Sequence, residues 1–122
     1  MAKPLILIVD DDPTIRVAMD RWFKVRGFDT DVAEDGVEAV EKCRNNYYDV
    51  VTMDLEMPRM NGIDAIRIIK QDVPNIPIIV LTGYARNADQ LQNMGVERIL
   101  TKPLRMMELE KEVRRIVAAS EQ

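Results

Sequence analysis

The sequence predicts an α/β domain: a single doubly wound, five-stranded parallel sheet flanked by five helices. Three observations lead there. Leu5–Val9 and residues 76–81 are short apolar runs without alternation, as expected of strands buried on both faces. Segments with apolar residues every three or four positions stand between the runs, and alternation of this kind builds parallel sheets through right-handed crossovers. The 122 residues, 47% of them apolar, contain no linker, repeat or low-complexity stretch, so residues 1–122 read as one domain with its own core.

The first strand, Leu5–Val9, runs straight into Asp10, Asp11 and Asp12. Pro13 after Asp12 is a favourable helix start, an N-cap carboxylate followed by a residue with φ already set. Ile15, Ala18, Met19, Trp22 and Val25 then mark the inward stripe of a helix reaching about Arg26, with Gly27 as its stop. Residues 28–33 alternate apolar and acidic, as an edge strand does, and Glu34-Asp35-Gly36 reads as a turn. The second helix covers 37–45, with Val37, Val40 and Cys43 inward. The third strand covers 48–53 and ends at Asp54.

A loop containing Pro58 and Gly62 leads to a third helix, marked by Ile63, Ile66 and Ile69 and closed near Asp72-Val73-Pro74. The fourth strand, 76–81, tolerates Pro77 near its start and ends at Thr82-Gly83. A short helix over 85–94 follows, with Ala88, Leu91 and Met94 as its apolar points. Arg98–Thr101 is the last strand. Lys102-Pro103 breaks it, and Met106, Leu109, Val113 and Ile116 define the final helix, to about Ser120.

Charge and composition remove several functions. With 17 basic and 21 acidic residues the net charge is −4, which disfavours direct nucleic-acid binding. No apolar run has the length of a membrane span, and the first residues lack the apolar core of a signal peptide. One cysteine, Cys43, precludes an internal disulfide and suits a reducing cytoplasm. The absence of histidine excludes Ser-His-Asp triads and histidine metal sites within this chain.

In parallel α/β sheets, ligands bind at the carboxyl ends of the strands. Asp10, Asp11, Asp12, Asp54, Thr82 and Lys102 all stand at those ends. Each alone has a structural explanation: Asp12 caps a helix, Asp54 starts a turn, Thr82 ends a strand, Lys102 is a surface charge. Together on one rim they make a coherent site. Asp11 and Asp54 suit Mg2+, a hard cation taking oxygen ligands. Lys102 and the Thr82 hydroxyl suit the oxygens of a phosphoryl group, and a carboxylate is a competent acceptor that yields an acyl phosphate. No glycine-rich loop follows the first strand, so the site is neither a dinucleotide fingerprint nor a P-loop.

Val9-Asp10-Asp11-Asp12-Pro13, Met53-Asp54-Leu55-Glu56-Met57-Pro58, Leu81-Thr82-Gly83 and Thr101-Lys102-Pro103 resemble, in order and over essentially the whole chain, the motifs of bacterial response-regulator receiver domains. The resemblance implies the flavodoxin-like strand order 2-1-3-4-5, which is the family's known one. It implies that Asp54 accepts the phosphoryl group from a phosphohistidine on a separate sensor kinase. Asp11 would hold Mg2+ directly, Asp10 through water, and Glu56 by its backbone carbonyl. Thr82 and Lys102 would bind the phosphoryl group, and the Lys102-Pro103 bond would be cis. The switched surface would comprise the fourth helix, fifth strand and fifth helix, the face for an unidentified downstream protein or a second copy.

Two features depart from the family pattern. Ile99 occupies the position, three residues before Lys102, where relatives carry Tyr or Phe as a switch coupled to the threonine. The segment from Thr82 to Gly95 is slightly short. Glu56 and Tyr84 lie where side chains influence hydrolysis, and two bulky groups there imply a slowly decaying acyl phosphate. Two other readings compete. Asp10-x-Asp12-x-Thr14 resembles the first motif of haloacid-dehalogenase-type phosphatases, with Asp10 as nucleophile and Asp12 as acid/base, although the acid pair expected after the lysine is missing. A receiver-like interaction module working without phosphate is the second.

Overall fold

Five apolar residues in succession suit the interior of a sheet, and Leu5–Val9 (β1) lies there. In the computed structural model of the chain, which describes residues 2–57, 60–83 and 88–121, β1 pairs in parallel with Asp29–Ala33 (β2) on one side and Val50–Asp54 (β3) on the other. Ile78–Thr82 (β4) and Arg98–Thr101 (β5) complete the order β2-β1-β3-β4-β5. The helices are Pro13–Val25 (α1), Gly36–Asn45 (α2), Gly62–Asp72 (α3), Ala88–Asn93 (α4) and Met106–Ser120 (α5). Among the described residues, no helix is long and apolar enough to cross a membrane.

The sheet separates two cores. Leu7, Val9, Val51, Met53 and Val80 face α2, α3 and Leu91 of α4. Ile6, Ile8, Ile79 and Leu81 face Met19 and Phe23 of α1 and Leu109, Val113 and Ile116 of α5. Alternate residues of one strand thus serve opposite layers, as the pleat requires. Cys43 lies buried in α2, and burial pushes its thiol up to about 11, so it is a packing residue, not a reactive one.

The inward stripe of α1 is narrower than its periodicity suggests. Met19 and Phe23, one turn apart, are the buried pair, while Ala18 is exposed and Ile15 and Val25 are 40% and 80% exposed. Phe23 fixes the rotation by packing edge-on against Phe28, with centroids 5.3 Å apart. Half-buried Trp22 donates its indole N–H to Glu110 Oε1 of α5 at 2.9 Å and carries the Arg26 guanidinium over its ring. This leaves Val17, Ala18 and Val25 lining an open apolar groove.

Several element ends shift for local reasons. Asp35, read as part of a turn, is the N-cap of α2, accepting from the Glu38 amide at 2.8 Å, so the helix starts at Gly36. Asn61 caps α3 in the same way, and Asp12 caps α1 as expected. Gly27 ends α1 at φ 96°, a conformation glycine adopts freely. β3 starts at Val50, since Tyr48 turns aside to donate its hydroxyl to Asp31 and Asp49 binds the Leu5 amide. β4 starts at Ile78, since Pro77 offers Val51 a carbonyl but no N–H. Phe28 is core rather than strand. Of the helix expected over 85–94, 88–93 is helical, and 85–87 lie outside the described residues, as does Tyr84.

Candidate functional site

Parallel pairing in register brings the carboxyl ends of β1, β3, β4 and β5 to one rim. Asp10 leaves β1 held three ways. Its amide donates to Ala33 O, its Oδ1 accepts from the Asp12 amide at 2.9 Å, and its carbonyl accepts from Arg16 at 2.8 Å. Asp54 ends β3. Asp10 and Asp54 are 1% and 2% exposed, whereas Asp11 is open to solvent. Carboxylate oxygens of Asp10, Asp11 and Asp54 lie within 4.8 Å of one another. Asp12 is not among them, because its Oδ1 caps α1 through the Thr14 amide.

Asp10 Oδ2 is buried and has no hydrogen-bond partner among the described residues. A buried acceptor without a donor is unfavourable unless a cation or ordered water satisfies it. With two further carboxylates in reach, the donor set is all hard oxygen and fits a small divalent cation such as Mg2+. The chemistry of the residues therefore suits the expected metal.

The hydroxyl of Thr82 ends β4, and the ammonium of Lys102 follows β5. The Lys102 amide donates to Thr82 O at 2.9 Å, which sets the two residues side by side. Lys102 Nζ donates to Asp54 Oδ1 at 2.9 Å. The Lys102-Pro103 bond is cis, as expected. Ile99, on β5 opposite Val80, is half-buried against the core layer that holds Leu91. An aliphatic side chain thus stands where the resemblance implies an aromatic one.

Sequence reasoning gave Glu56 only a backbone carbonyl and a screening side chain. Its carboxylate in fact enters the site. Glu56 Oε1 accepts from the Thr82 hydroxyl and the Gly83 amide, both at 2.9 Å, and Oε2 is 3.8 Å from Lys102 Nζ. The Glu56 amide donates to Asp54 Oδ1 at 3.1 Å. The available signal was its period: two residues beyond Asp54, an extended chain returns to the same side. Arg16 was missed altogether, since nothing in the sequence ties it to the Asp10 carbonyl.

The electrostatics follow burial. Asp54 is pushed up to about 7, chiefly by burial, with the Lys102 hydrogen bond opposing the rise and the adjacent Glu56 carboxyl adding to it. Asp10 is also raised, again by burial. Burial works against the Lys102 charge, but its bond to Asp54 and the surrounding carboxylates outweigh that and raise it. Glu56 is lowered: burial is outweighed by its bonds with Asp54, the Gly83 amide and the Thr82 hydroxyl.

A model of the response regulator receiver domain family matches residues 6–114. The response regulator MprA of a Mycobacterium species is 34% identical over 106 residues, 85% of this chain and 46% of the relative. The DNA-binding response regulator MtrA of Mycolicibacterium smegmatis is 36% identical over 111 residues, 89% of this chain and 48% of that protein. The chain thus spans about half the length of these relatives. Among solved structures, TrrA of Thermotoga maritima, in complex with Mg2+ and BeF, aligns with a TM-score of 0.84 and 31% identity, covering 93% of this chain and 98% of that one. By sequence and by fold, this chain belongs to the response-regulator receiver domains of two-component systems.

Proposed function

We propose that Asp54 is the phosphoryl acceptor of this receiver domain and that Asp10, Asp11 and Asp54, with the Glu56 backbone carbonyl, hold Mg2+. The observation that carries the reading is the pairing of a buried carboxylate with an ammonium, Asp54 Oδ1 to Lys102 Nζ at 2.9 Å, beside an acidic cluster with an oxygen unpartnered among the described residues. When bound, Mg2+ would neutralise charge as the phosphoryl group meets the acids. An Asp54 oxygen attacks the phosphorus of a phosphohistidine on a sensor kinase or phosphotransfer protein. The P–N bond breaks, its electron pair leaves with the imidazole, and Asp54 carries an acyl phosphate. Lys102 fixes positive charge beside the transferred oxygens, and Thr82 donates its hydroxyl to one of them.

Added charge at this rim biases the surface of α4, β5 and α5 between two states, with Ile99 repacking where relatives use a ring. That surface would be read by a downstream protein or a second copy, in the reducing cytoplasm that suits Cys43. The phosphatase alternative needs Asp12 as acid/base, but Asp12 is committed to capping α1.

Wild type incubated with acetyl phosphate and Mg2+ is expected to gain one phosphoryl group by intact mass, and Asp54→Asn none. Labelling that survives Asp54→Asn but not Asp10→Asn would transfer the nucleophile to Asp10. Labelling of neither chain would favour the phosphate-independent module. Slow loss of the label once donor is removed is expected, and rapid loss counts against screening by Glu56 and Tyr84. Mg2+ binding should also compete with a proton on Asp54, whose pKa is about 7. Affinity measured by calorimetry should therefore fall about tenfold per unit of pH below that point, because the carboxyl must ionise to ligate. Equal affinity at pH 8 and pH 6 would remove Asp54 from the ligand set.

A further inference from the structure

The Glu56 side chain is 40% exposed, yet its carboxylate turns inward onto the Thr82 hydroxyl, the Gly83 amide and Lys102, the first and last of which are the groups assigned above to a phosphoryl group on Asp54. We propose that this carboxylate is a resident stand-in for the phosphoryl group: it holds Thr82 and Gly83 in place beforehand and must leave before a phosphoryl group can settle. The inference rests on Asp54 being the acceptor.

The argument is one of donor count. A threonine hydroxyl has one proton to give and a backbone amide has one. Both are given to Glu56 Oε1, at 2.9 Å each. Lys102 is shared between Asp54 Oδ1 at 2.9 Å and Glu56 Oε2 at 3.8 Å. A phosphoryl group brings three acceptor oxygens and more negative charge to this spot. It cannot use the hydroxyl and the amide while the carboxylate keeps them, and like charge opposes joint occupancy. The Glu56 backbone need not move, because its amide is tied to Asp54 Oδ1 at 3.1 Å. Rotation of an exposed side chain is enough to clear the pocket. Glu56 is therefore a positioning residue: it sets how readily donors reach Asp54, and it keeps Thr82 turned inward in the unphosphorylated protein.

Two measurements on the full chain test this. The first is labelling by acetyl phosphate with Mg2+. Glu56→Ala is expected to label about tenfold faster than wild type, the scale of one charge-assisted hydrogen bond no longer to be broken. Glu56→Gln, which keeps an acceptor without charge, should fall between. In a Thr82→Ala background the gain from Glu56→Ala should shrink, because the shared donor is gone. The second is the Gly83 amide resonance without donor or metal, which should move in Glu56→Ala and less in Glu56→Gln. Wild-type or slower labelling by Glu56→Ala, with Asp54→Asn still inert, overturns the proposal and leaves Asp54 as acceptor. If wild type is not labelled at all, Asp54 falls as acceptor, and the resonance alone decides the carboxylate: a shift upholds its residence, an unmoved Gly83 overturns it.

Discussion

Lys102→Ala is expected to slow phosphoryl labelling of Asp54 by about 10²–10³-fold, the usual loss on deleting one preorganised donor to developing charge. Two effects act together. Lys102 supplies the ammonium at 2.9 Å from Asp54 Oδ1 and is the strongest influence holding that carboxyl down against burial. Without it, Asp54 should titrate above its present value of about 7, so less of it is ionised and nucleophilic at neutral pH. On the proposed reading the transferred oxygens would also lose their fixed positive charge. Stability should change far less than labelling. Breaking a buried ion pair is costly when the remaining charge is trapped, but Asp54 can take up a proton and become neutral. The two effects separate by pH. Labelling of Lys102→Ala should recover partly between pH 7 and pH 9 as Asp54 ionises, while wild type should rise less over that range. A variant that labels at the wild-type rate would remove Lys102 from the site. A loss with no recovery at high pH would mean that Lys102 acts on the phosphoryl oxygens alone.

Much of this arrangement is legible in the sequence because strand ends are. An unbroken apolar run such as Leu5–Val9 identifies a central strand, and in a parallel sheet whatever follows such strands meets on one edge. Asp10, Asp54, Thr82 and Lys102 follow from that rule, and the geometry brings them together. Side-chain direction is less legible. On α1, the periodicity admits Ile15, Ala18 and Val25 as well as Met19 and Phe23, and only contact with Phe28 and the Trp22–Glu110 bond selects the rotation. A helix start is displaced by a residue where a cap resembles a turn, as at Asp35. Glu56 shows a harder limit. Its period after Asp54 indicates the side it faces, but its reach to Thr82 depends also on the path of the loop after Asp54, which no local pattern encodes.

Gly62→Ala is expected to harm both the fold and the site, for reasons of space rather than backbone freedom. A Cβ on Gly62 would lie 2.7 Å from Leu55 Cδ2, 2.8 Å from Leu55 Cα and 2.8 Å from the Asp54 carbonyl oxygen. The leucine tip can turn away, but the backbone of Asp54 and Leu55 cannot yield without moving the proposed acceptor carboxylate. Overpacking of this kind destabilises by about 1–3 kcal/mol. The better helix propensity of alanine offsets at most about 1 kcal/mol of that. Gly36→Ala is the matched control, since its Cβ would meet the Met60 carbonyl oxygen at 2.7 Å, against a different loop segment. Both variants should unfold at lower denaturant concentration than wild type. Only Gly62→Ala should also slow labelling under conditions where each remains folded, because only there does the strain bear directly on Asp54 and on the Lys102 bond it accepts. Equal labelling by the two variants would mean that the loop after β3 absorbs the displacement before it reaches the carboxylate. Unchanged stability in Gly62→Ala would mean that the close packing of α3 on this loop is not what holds the end of β3 in place.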